Sequence, residues 1–149
     1  MTTGERPRRI LAVDFGERRT GLAATDRTGT IVVPLPRLDR LDDQNLAAAI
    51  AAIAAEREAE VIVVGMPLRA DGGTGERAAR TLRFVDALRK VTAVLIETVD
   101  ESNSTDEAHA RLGEFGIRAA QRKRAADSVA AMVILERYRD RRPAPGGPG

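Results

Sequence analysis

At 149 residues, 43% hydrophobic and 31% charged, the chain has the size and composition of one globular domain. It lacks the ~20-residue apolar run that a membrane span needs, and its polar start, Met1 to Arg9, predicts no secretory signal. With no cysteine and one histidine, disulfides, zinc–thiolate sites, thiol nucleophiles and any chemistry using two imidazoles are excluded.

A bound metal would therefore be held by carboxylates, the hard oxygen ligands that suit Mg²⁺ or Mn²⁺. The net charge of +2 says little, but its distribution says more. Between Glu97 and Glu107 stand five acids (Glu97, Asp100, Glu101, Asp106, Glu107) and no base. From Arg111 to Arg142 nine bases face four acids. Such an arrangement offers carboxylates to cations and arginines to phosphates.

In chain order, Arg9 to Asp14 reads as a buried strand ending in a polar residue. Phe15 to Arg19 is a turn, Thr20 to Thr25 a second strand, Asp26 to Gly29 a turn, and Thr30 to Val33 a third strand that Pro34 and Pro36 end. Asp42 or Asp43 caps a helix running to about Arg57, with Leu46, Ile50 and Ile53 at helical spacing. Glu60 to Gly65 is a β-branched, buried strand, and Asp71 to Gly75 a loop with three glycines. A helix from Glu76 to Lys90 carries an apolar stripe of Ala79, Leu82, Val85 and Leu88 or Phe84. Ala93 to Glu97 is a further strand, and Ser104 to Glu114 a helix whose Ser104 and Glu107 fit a capping box. The last helix runs from Ala126 to Arg139, with disorder expected at residues 1–8 and in the Pro/Gly-rich tail 141–149. A meander followed by βαβ units makes an α/β fold: a mixed five-stranded sheet, three strands antiparallel and the rest parallel, flanked by helices across residues 9–140.

Three acids stand out by position. Asp14 ends an apolar strand, Glu101 follows a strand beside Asp100, and Asp127 opens a helix apolar almost all round from Val129 to Leu135. Acids gathered at one place repel unless cations share the space. Two divalent metals about 4 Å apart can activate a water and stabilise a leaving oxygen in phosphodiester cleavage, without a Cys, His or Ser nucleophile. Each acid also has a plain alternative: an Asx-turn at Asp14, an exposed loop at Glu101, a helix N-cap at Asp127. His109 reads as a surface residue, and Tyr138, Phe84 and Phe115 as packing residues.

Four blocks taken together carry a family resemblance: Ala12-Val13-Asp14-Phe15-Gly16-Glu17-Arg18-Arg19-Thr20-Gly21-Leu22-Ala23; Val63-Val64-Gly65-Met66-Pro67-Leu68 with Asp71-Gly72; Asp100-Glu101 with Ser104-Thr105 and Glu107-Ala108; and Asp127 with Ala130-Ala131 and Ile134-Leu135-Glu136. In these blocks, spread over residues 9–140, the chain resembles the YqgF/RuvX family of pre-16S rRNA nucleases and Holliday-junction-resolvase-like proteins. The resemblance implies a ribonuclease H-like fold and a metal-dependent nuclease using Mg²⁺ or Mn²⁺, with Asp14, Glu101 and Asp127 as catalytic, metal-binding carboxylates. It also implies a cytoplasmic protein, a monomer or weak homodimer, acting on precursor rRNA or the pre-ribosome. Gly16 and Gly65 are expected to let the nucleic-acid backbone approach, and Arg19 to grip a phosphate bidentately. The family's Arg-Leu after Asp-Glu is replaced by Ser102-Asn103, so Arg122, Lys123 or Arg124 would supply the missing grip. Three rivals stay open: a non-catalytic RNA-binding or transcription-associated module of the same fold, a Holliday junction resolvase, and an actin-like ATPase. The chain is short for the last, which needs two domains.

Overall fold

The computed structural model describes residues 8–16, 18–39, 42–67, 75–100 and 119–141, with the backbone alone at 119–127 and 141. Along it run β1 (Ile10–Asp14), β2 (Arg19–Thr25), β3 (Val32–Asp39), α1 (Asp43–Glu56), β4 (Val61–Met66), α2 (Gly75–Val91), β5 (Leu95–Asp100) and α3 (Ala119–Arg141). The expected helix Ser104 to Glu114, His109, Phe115 and most of the Asp71 to Gly75 loop lie outside the described residues. So do residues 1–7 and 142–149 of the two expected tails. Arg8 already donates to the Tyr138 hydroxyl, and Arg141 is still helical.

The five strands form one sheet in the order β3-β2-β1-β4-β5. β1 is central, antiparallel to β2 and parallel to β4, which explains why Ile10 to Val13 is apolar throughout. Alternation divides its side chains between two layers. Leu11 and Val13, with Ile62, Val64, Leu22 and Ile96, pack under α1 and α2. Ile10 and Ala12, with Val61, Val63, Ala23 and Val99, pack under α3.

α1 starts at Asp42, whose carboxylate accepts from the Asn45 backbone N–H at 2.7 Å. It closes with Ala59 N–H on the Ala54 carbonyl and Glu58 in the left-handed region (φ 57°). α2 buries Ala78, Thr81, Phe84, Val85 and Leu88, not the expected Ala79 and Leu82; Leu82 is 50% exposed. α3 buries every residue from Ser128 to Leu135, as the all-round apolar sequence predicts. Each fully buried Val, Ile or Leu there contributes about 1.5–3 kcal/mol of transfer free energy.

Three boundaries differ from the sequence reading. β3 runs through Pro34 and Pro36 to Asp39, because it is an edge strand and a proline without an N–H is tolerated on the unpaired side. β5 begins at Leu95 and extends through polar Thr98 and Asp100, held by register with β4 rather than by apolar pattern. α3 begins at Ala119, two turns before the apolar run, so Asp127 stands in the helix interior and is not its N-cap.

Candidate metal and nucleic-acid site

Parallel strands β1, β4 and β5 end together at one edge of the sheet. The register pairs Val13 with Val64 and Gly65 with Val99, so Asp14 is level with Gly65 and Val99. Across the antiparallel side Asp14 pairs with Gly21. By alternation from Ile10 and Ala12, Asp14 belongs to the face that α3 covers, as do Gly21, Gly65 and Val99. The half-buried Asp14 carboxylate therefore has a residue without a side chain on each side of it in its row. A carboxylate at this end of the sheet, flanked by two glycines, offers a hard oxygen donor of the kind that suits a hydrated divalent cation.

The turn after Asp14 is tight. A Cβ on Gly16 would lie 2.3 Å from the Arg19 carbonyl oxygen, so the place a side chain would take is filled by the chain itself. Gly16 is required here by the fold of the turn. The turn is pinned on the other face of the sheet by Phe15, whose ring stacks on Phe84 of α2 at 4.8 Å between centroids and 11° between planes. It delivers Arg19, exposed, to the first position of β2 opposite Asp39.

The hydrogen bonds of α3 fix its direction. Tyr138 donates to Glu97 at 3.0 Å, and Arg139 donates to the Thr30 carbonyl beyond the amino end of β1. Nearer its start, the buried Ser128 hydroxyl donates to the Leu35 carbonyl at 2.6 Å. Leu35 pairs with Leu22, and Leu22 with Val13, the residue before Asp14. α3 thus runs antiparallel to β1 and brings the backbone turn of Asp127 to the Asp14 end of the sheet. Of the side chains of Arg122, Lys123, Arg124 and Asp127 nothing is described, and Glu101 lies outside the described residues, directly after the end of β5. Among the described residues there is no group of three or more Asp, Glu or His that could hold a metal; Asp14 is the described member of the expected set. Sequence reasoning missed Ser128, whose hydroxyl in an apolar run was the available signal, and the Phe15–Phe84 stack, for which spacing gave none.

Comparison with known proteins agrees with this architecture. Residues 8–141 match the family RuvX, described as a Holliday junction resolvase. A candidate pre-16S rRNA nuclease of Chloroflexus aggregans is 39% identical over 136 residues, 91% of this chain and 96% of that one. One from Kineococcus radiotolerans is 40% identical over 148 residues, 97% of this chain and 78% of that one. In solved structures, RuvC of Thermus thermophilus bound to a Holliday junction shares the fold at a TM-score of 0.59 and 14% identity, covering 89% of this chain and 95% of that one. The Fowlpox virus resolvase with its junction DNA does so at 0.54 and 12%, covering 89% and 97%. The five-stranded mixed sheet is thus a ribonuclease H-like, RuvC-type sheet, and the chain belongs to the RuvX family of nucleases.

Proposed function

We propose that this protein is a metal-dependent nuclease that hydrolyses phosphodiester bonds in the precursor of 16S rRNA. The observation that carries the reading is Asp14 at the carboxyl end of the central strand, in register between Gly21 and Gly65. The RNA target is supported by the names of relatives matched along nearly their whole length. When bound, Mg²⁺ or Mn²⁺ supplies an acidified water and stabilisation of the leaving oxygen. Asp14 would hold the metal. Glu101, directly after the end of β5, and Asp127, whose helical turn the Ser128 bond holds at the Asp14 end, would complete the set. Arg19 holds the phosphate beside the scissile bond, with Arg122, Lys123 and Arg124 along the strand. Gly65 lets the substrate backbone come close to the sheet edge. Cleavage leaves a 5′-phosphate and a 3′-hydroxyl. No helix among the described residues is long and apolar enough to cross a membrane. A ribosomal RNA substrate supports a cytoplasmic location.

The test offers purified protein with Mn²⁺ or Mg²⁺ to precursor 16S RNA, plain single strands and four-way DNA in parallel. Cleavage of the precursor RNA is expected, and Asp14→Asn abolishes it while RNA binding and thermal unfolding stay near the parent's. A variant that cuts at the parent's rate overturns the site. Preference for four-way DNA overturns the RNA target and favours a resolvase.

A further inference from the structure

α2 carries five bases (Arg77, Arg80, Arg83, Arg89, Lys90) against two acids (Glu76, Asp86). Ala78, Thr81, Phe84, Val85 and Leu88 are buried; Arg77, Arg80 and Arg83, spaced i, i+3 and i+6, form a slanting row that runs from Arg77, exposed at the start of the buried face, to Arg83 on the outer side. Arg77 and Arg83 are exposed, and Arg80 is partly so, 3.4 Å from Glu76. That ion pair is shallow, with the Glu76 side chain 80% exposed, and an exposed pair of this kind gives way readily to another anion.

The position of the stripe is what gives it meaning. α2 follows β4 and returns to the amino end of β5, with Val91 and Leu95 only a short turn apart, so its N-terminus is at the carboxyl edge of the sheet. Phe84 stacks on Phe15, the neighbour of Asp14, which fixes the level of α2 against that edge. At 1.5 Å per residue, Arg80 and Arg77 stand about 6 and about 10 Å further along the helix toward its start. The first turns of α2 therefore lie toward the Asp14 end of the sheet, on the face opposite to the one that Asp14 shares with α3. Arg89 and Lys90 lie at the opposite end, beside the start of β5.

We propose that Arg77, Arg80 and Arg83 form a phosphate track that carries the backbone of the RNA strand entering or leaving the Asp14 edge. The choice of RNA rests on the nuclease reading above; the track itself rests on charge and placement. Three guanidinium groups hold the first three places of that row, with Asp86 next in it and Glu76 paired to Arg80.

Binding of labelled precursor 16S RNA, measured by fluorescence anisotropy in EDTA from 50 to 200 mM KCl, tests this without cleavage. Substituting all three (Arg77→Gln, Arg80→Gln, Arg83→Gln) should weaken binding and make the slope of log K against log salt less negative by about 2 to 3, since each lost phosphate contact contributes about 0.7–0.9. The pair Arg89→Gln and Lys90→Gln should leave the slope as in the parent. Circular dichroism melting should show all variants folded, because none of the changed side chains is buried. An unchanged slope in the triple variant overturns the track, as does an equal loss in the Arg89 and Lys90 pair. A parent that binds no RNA overturns it too. A parent that binds with the α2-dependent slope yet cuts nothing in Mn²⁺ sustains the track and removes the nuclease reading.

Discussion

Gly16→Ala is the sharpest perturbation available at the candidate site, because it adds one methyl group where none fits. The new Cβ would sit 2.3 Å from the Arg19 carbonyl oxygen, and ordinary contact requires 3.4 Å or more, so backbone must move by about 1 Å. Neither side yields easily. Asp14 is held between β2 and β4, Phe15 is stacked on Phe84, and Arg19 is registered opposite Asp39. Forced overpacking of this kind costs about 1–3 kcal/mol. Taking about 2 kcal/mol and a urea slope of about 2 kcal/mol per M, the unfolding midpoint should fall by about 1 M. Far-UV circular dichroism reads this, since the chain has no tryptophan. Because the displaced turn begins at Asp14, Mn²⁺-dependent cleavage should fall by about 100-fold even where the variant is fully folded, as a misplacement of about 1 Å in a catalytic group does. A variant whose midpoint and cleavage rate both match the parent's would refute the argument, since it would mean the turn accepts a side chain at no cost.

Two further outcomes follow from local geometry elsewhere. The hydroxyl of Thr28 donates to Asp26, joined by the backbone N–H groups of Ile31 and Thr30, and holds its carboxyl below the ordinary 3.8. A folded pKa lower than the unfolded one means that the turn's contribution to stability is present above pH 3.8 and is lost as pH falls through the folded value. The NMR titration of Asp26 should therefore have its midpoint below 3.8, and Thr28→Val should return it toward that value; an unchanged midpoint in the variant would assign the shift to other donors. Glu58 closes α1 in the left-handed region, which costs a non-glycine residue about 1–2 kcal/mol, while its exposed pair with Arg9 is worth about 1 kcal/mol at most. Glu58→Gly should raise the melting temperature by a few degrees or leave it level, and a clear fall would show that the Arg9 pair outweighs the backbone strain.

The sheet was legible because burial leaves its mark on composition. A central parallel strand must be apolar on both faces, and β1 and β4 are. The helix from Ser128 onward was legible for the same reason. What escaped reading was set by partners distant in sequence. Pro34 and Pro36 look like strand breakers until β3 is known to be an edge. Polar Thr98 and Asp100 look like loop until β4 is known to extend beside them. The first two turns of α3 carry alanines and bases with no apolar stripe and no capping residue, so pattern alone placed the start at Ala126. The position of Asp14 at the end of the central strand was legible from the apolar run before it. The role of Gly16 was not, since spacing cannot say whether the room beside a glycine is open or taken by the chain's own carbonyl. The basic stripe of α2 was present at i, i+3 and i+6, yet charge counted along the chain pointed instead to residues 111–142.

These pieces bear on how a site made of acids can be tolerated by a small fold. Carboxylates brought together destabilise the protein until a cation joins them, so the elements that carry them must be held by bonds that do not depend on that cation. Asp14 is paired with Gly21 of β2 and follows Val13, which is paired on both sides of β1. The turn of α3 that bears Asp127 is fixed by the Ser128 hydroxyl on Leu35 and by the buried run that follows it. Each anchor is at its acid or next to it: Asp14 itself pairs with Gly21, and Ser128 follows Asp127. In the proposed site the row from Gly21 to Gly65 would then take cation, water and phosphate onto elements that are already held.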